Sequence, residues 1–119
     1  MTDRELLEKA SKAVGYVPHH SYREKTNSLL WISESGFPST WKPLTDDGDA
    51  LRLAVDLGIT IYTNIRTAYV FYGNHPINAD EREITATEEP GEDSYAATRR
   101  AIVRAAAQIG EHMEKQNGN

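Results

Sequence analysis

The 119 residues, 39% of them hydrophobic and none of them Cys, are enough to bury one core without disulfides, and they offer no thiolate for zinc or nucleophilic catalysis. With 18 acidic against 13 basic residues the formal net charge is −5, which disfavours general binding to nucleic-acid backbones or anionic membranes. No apolar run approaches the ~20 residues of a membrane span, and the opening Met1-Thr2-Asp3-Arg4-Glu5 carries no secretory pattern, so a single cytoplasmic domain over residues 1–115 is expected, with a disordered tail at 116–119.

Thr2 and Glu5 have capping-box spacing, and Leu6, Leu7, Ala10, Ala13 and Val14 recur at helical intervals before Gly15, which predicts a first helix from Asp3 to about Val14. Ser28 to Ser33 reads as a strand, with a weaker one around Ser21 to Lys25. Gly36-Phe37-Pro38-Ser39 reads as a loop pinned by the flanking Trp31 and Trp41. Thr45 to Leu57 predicts a second helix, with Thr45 or Asp46 as N-cap, acids in the first turn, an Arg52–Asp56 pair and Gly58 at its end. Ile59–Thr63 and Thr67–Tyr72 suggest a hairpin, Gly73 to Pro76 a turn, and Glu83–Thr87 a final strand. After an acidic connection at 88–93, a third helix runs from Ser94 to about Glu114. Tyr95, Thr98, Ile102, Ala105, Ile109 and Met113 form its inward stripe, and Arg99, Arg100 and Arg104 lie on or beside its outer face. The order α-β-α-β-β-β-α implies an α+β fold in which a mainly antiparallel sheet of about four strands is layered with three helices.

Two stretches carry a family resemblance. Trp41-Lys42-Pro43-Leu44-Thr45-Asp46-Asp47-Gly48-Asp49-Ala50-Leu51-Arg52-Leu53-Ala54-Val55 resembles the signature of the Phage ABA sandwich family, with Lys42 where the family more often has Asn. Residues 97–110, ATRRAIVRAAAQIG, are a second match. The resemblance implies a tailed-phage or prophage origin, a host-cytoplasmic address and an α-β-α sandwich. It implies no activity and supplies no catalytic set.

The chemistry-bearing residues give no enzyme signature. Asp46-Asp47-Gly48-Asp49 fails EF-hand spacing, because the chain has Pro43, Thr45 and Ala54 where the loop needs oxygen ligands; helix capping accounts for the cluster. His19, His20, His75 and His112 form no metal-binding pair at helical spacing, and the chain lacks a G-x-S-x-G elbow, a P-loop and a G-x-G-x-x-G run. No catalytic, metal or cofactor residue is therefore assigned. What stands out is the arginine cluster, suited to phosphate or carboxylate, together with Trp31, Trp41, Tyr62, Tyr69, Phe71 and Tyr72 as aromatic surface. The expected contact residues are Trp41, Tyr72, Arg99 and Arg104. The expected function is that of a noncatalytic phage or prophage accessory protein that binds a host protein or a small nucleotide-like ligand, with counter-defence as one role, and that forms a homo-oligomer. A structural or assembly scaffold, a small nucleotide-processing enzyme, and DNA mimicry by the acids between Asp80 and Asp93 are the alternatives.

Overall fold

The computed structural model of the chain describes residues 1–16, 18–32, 36–63, 68–72, 85–88 and 94–116. Among these described residues, three helices and six strands follow in the order α1 (Asp3–Ala13), β1 (Pro18–Arg23), β2 (Ser28–Ile32), β3 (Pro38–Trp41), α2 (Asp47–Leu57), β4 (Ile59–Thr63), β5 (Ala68–Tyr72), β6 (Thr85–Glu88) and α3 (Ser94–Gln116). The fold is α+β and its strand pairing is antiparallel throughout. Among the described residues the strands form two sheets instead of one: β1-β2-β3 make one meander and β4-β5-β6 another, with α2 between them in the chain.

The strand missing from the sequence reading is β3. Gly36 and Pro38 pointed to a loop, but Pro38 is the first residue of an edge strand, the one sheet position where a missing N–H costs nothing. Its pairing sets Trp41 opposite Leu29 and Ser39 opposite Trp31. The two tryptophans bracket Tyr16, whose ring stacks on Trp31 at 4.1 Å and meets Trp41 edge-on at 5.4 Å. Tyr16 is delivered there by the end of α1, where its N–H donates to the Ser11 carbonyl and that of Gly15 (φ 78°) to Lys12, the two bonds of a Schellman motif. Burial, followed by the nearby carboxylates of Asp56 and Asp49, pushes the Tyr16 phenol above its ordinary pKa.

α3 is the centre of the molecule. α1 packs along it, β4, β5, β6 and α2 also pack against it, and the first sheet lies on α1. This is why its buried surface is far wider than one stripe: Ala97, Ala101, Val103, Ala106 and Ala107 are buried along with the expected Ile102, Ala105 and Ile109. Tyr95 and Met113, near its two ends, are instead 73% and 40% exposed. Cross-links pair residue 3 with 100, 9 with 111 and 12 with 114, so α1 and α3 run parallel. The two helices approach tightly at Gly110, where an added Cβ would run into the Lys9 carbonyl, with its carbon 2.9 Å away.

One polar network ties the first hairpin to both helices. Asn27, the one described non-glycine residue with positive φ (49°), receives the Tyr22 hydroxyl on its side-chain oxygen at 2.7 Å and donates to Asp3 at 2.9 Å. The other Asp3 oxygen accepts from Arg100 at 2.9 Å. Asn tolerates the left-handed region better than other side-chain-bearing residues, so the turn and the network favour the same residue.

No described helix is long and apolar enough to cross a membrane. The expected turn at 73–76, the start of the last strand, the acidic connection at 89–93 and the tail at 117–119 lie outside the described residues; Gln116 is helical.

Candidate functional site

The Trp41–Val55 stretch folds as a self-locking turn and cap. Pro43 and Leu44 are buried, and the Lys42 carbonyl accepts from the N–H groups of Thr45 (3.1 Å) and Asp46 (2.8 Å). Asp46 is the N-cap of α2, its carboxylate accepting from the Asp49 N–H at 2.8 Å. Asp49 reaches back across the turn, accepting from the Lys42 N–H at 2.9 Å with one oxygen and from Arg52 at 2.7 Å with the other. Because Asp49 is fixed by the backbone, Arg52 turns towards it and not towards Asp56, which is exposed. Replacing Asp49 with Ala removes the acceptor of a part-buried backbone N–H and should lower stability by about 1–3 kcal/mol. A urea-unfolding midpoint unchanged from wild type would show that the turn holds without it.

Arg99 of α3 joins this turn. Its Nε donates to the Leu44 carbonyl at 3.0 Å and one terminal nitrogen to the Asp47 carboxylate at 2.6 Å. The pair is lopsided: the Arg99 side chain is 16% exposed and that of Asp47 71%. The arginines are thus not an outer solubilising row. Arg99 and Arg100 are drawn inward to acids at 47 and 3, distant in the chain, because α3 is covered on several sides.

Beside Arg99 lies a cleft of about 690 Å³ between α2, β4 and the start of α3, lined by Asp47, Ala50, Leu51, Ile61, Ser94, Tyr95, Thr98, Arg99 and Ile102. Its wall is mostly apolar, and its polar lining consists of Asp47, Ser94, Thr98 and Arg99, of which Asp47, the first residue of α2, pairs with Arg99. The N-terminus of α2 and the Arg99 guanidinium favour negative charge where they meet. Leu51 and Tyr95 stand at the rim, 58% and 73% exposed, and Val55, one turn beyond Leu51, is 70% exposed.

Of the expected contact residues whose side chains are described, Arg99 lines the cleft and Trp41 and Arg104 do not. Trp41 is 5% exposed and belongs to the core with Tyr16 and Leu29. Arg104 is half-buried one turn beyond Arg100 and away from the lining. The backbone of Tyr72 in β5 pairs with that of Ile59 in β4, while the Tyr72 side chain lies outside the described residues, as do His75, the side chains of His19 and His20, and the acids at 80–84 and 89–93. The sequence reading did not find Leu51, Ile61, Tyr95 or the Asp47–Arg99 pair. One signal was present: the apolar face of α2 is too broad for one contact, with Ala50, Leu53 and Ala54 buried while Leu51 and Val55 remain outside. Among the described residues no group of three His, Asp or Glu is placed to hold a metal.

The chain matches no family model, no curated protein and no solved structure.

Proposed function

We propose that the chain is a noncatalytic phage or prophage accessory protein that acts by binding, and that the α2–α3 cleft receives its ligand, a small nucleotide-like molecule. The phage origin rests on the resemblance of residues 41–55 and 97–110. The observation that carries the binding reading is Arg99: a part-buried guanidinium, oriented by the Leu44 carbonyl, at one end of an apolar cleft. A cleft of this volume, chiefly apolar with a few convergent polar groups, has the make-up of a small-molecule site. Counter-defence, by sequestering a nucleotide signal, is the role such a site would serve in an infected cell.

A thermal-shift titration with mononucleotides, cyclic dinucleotides and ADP-ribose, with product analysis of each hit, tests it. One of these should raise Tm in a saturable way, by the equivalent of about 2.7 kcal/mol at a hundred times its Kd, and be recovered unchanged. Leu51→Glu, at the exposed rim, should abolish the shift without unfolding the protein. A flat panel removes the reading, and a converted nucleotide replaces it with an enzyme.

A second reading, a homo-oligomeric scaffold, is favoured by the exposed Leu51, Val55 and Tyr95 around the cleft mouth. Sedimentation of wild type against Val55→Glu separates the two: dimers lost in the variant support the scaffold, and monomers in both exclude it.

A further inference from the structure

We infer, on the reading that the cleft is the binding site, that Asp47 is a built-in gate: its carboxylate holds the anion position on Arg99, and the ligand is an amphipathic organic anion that displaces it. The two partners of this pair are unequally held. Arg99 is 16% exposed and fixed through its Nε on the Leu44 carbonyl at 3.0 Å, so it stays in place when the pair opens. Asp47 is 71% exposed, and among the described residues its carboxylate bonds to Arg99, so swinging into water costs it little.

A guanidinium left buried without a counter-charge is unfavourable, so whatever moves Asp47 aside must bring its own negative group. This rules for an anion over a cation, which would find in Asp47 a solvated, mobile partner already claimed by Arg99. The ligand's second requirement comes from the rest of the wall: Ala50, Leu51, Ile61 and Ile102 call for a flat or chain-like apolar body reaching away from the anion. Asp47 therefore screens ligands. A purely apolar molecule gains nothing at Arg99, a bare inorganic anion gains nothing along the wall, and only a molecule with both parts offsets the loss of the internal ion pair.

Two dyes that share an apolar body test this: 1-anilinonaphthalene-8-sulfonate, and N-phenyl-1-naphthylamine, which lacks the sulfonate. Each is titrated by fluorescence into wild type, Asp47→Asn and Leu51→Glu, with far-UV circular dichroism verifying the fold. The sulfonate dye should bind Asp47→Asn at least fivefold more tightly than wild type, because an anionic competitor has become neutral. The neutral dye should bind both proteins alike. Equal or weaker binding of the sulfonate dye by Asp47→Asn overturns the gate while leaving the cleft as a binding site, provided that Leu51→Glu weakens both dyes. Absence of saturable binding by wild type and Asp47→Asn alike removes the gate and the binding site together.

Discussion

Gly110→Ala should lower stability by about 2 kcal/mol, although alanine is the better helix former by about 1 kcal/mol. The new methyl group would lie against the backbone of α1, with the Lys9 carbonyl carbon at 2.9 Å and the Ala13 nitrogen at 3.6 Å, and a carbonyl in a packed helix has nowhere to move. The helices would have to separate, loosening the contact lined by Leu7, Ala10 and Ala106, which are all fully buried. Gly48→Ala is the matched control. Its Cβ would meet the ends of the Arg52 and Asp46 side chains at 3.2 Å, which need give by only a few tenths of an ångström, and although the Asp46 carboxylate caps α2, the stability loss should stay below about 1 kcal/mol, under half that of Gly110→Ala. Equal urea midpoints for Gly110→Ala and wild type would mean that α1 and α3 do not approach this closely.

Trp41→Ala should cost about 3–5 kcal/mol, a large part of a small domain's stability. The ring is 5% exposed, stands opposite Leu29 in the sheet and supports Tyr16 edge-on, so its loss also undercuts the Tyr16–Trp31 stack. Trp41→Phe should recover more than half of the loss. If Trp41→Ala instead melts like wild type but binds no nucleotide, Trp41 belongs to the ligand site and not to the core. The same experiment carries a pH signature. Because the Tyr16 phenol is raised in the folded state, its contribution is complete below pH ~10 and is lost as pH rises through the raised value, so wild type should weaken in strong alkali more steeply than Tyr16→Phe.

The sequence was most legible where structure is local. The capping of α1 by Thr2, the capping of α2 by Asp46, the end of α2 at Gly58 and the β4–β5 hairpin all depend on residues close in the chain. It was less legible where one element serves several neighbours. A helical wheel for α3 yields one stripe, but the helix is covered by α1, α2 and a sheet, so alanines that look neutral are core residues and arginines that look external are drawn to acids at 3 and 47. β3 was hidden by its own proline, which is a loop signal in isolation and an edge-strand signal once β2 is beside it. The cleft was hidden for a related reason. Leu51 and Ile61 belong to different elements, and no spacing rule brings them to Tyr95 and Arg99.

The parallel pairing of α1 with α3 has a consequence for biosynthesis. Both sheets are meanders that can close as soon as their own strands leave the ribosome, yet the helix that α1, α2 and the second sheet all pack against spans Ser94–Gln116. A nascent chain that ends before Ser94 carries two meanders and two amphipathic helices whose apolar faces lack the helix that covers most of them. Translation at about 5–20 residues per second would leave α1 waiting several seconds for its partner. Folding is therefore committed late, and that interval is when the chain is most open to chaperones and proteases.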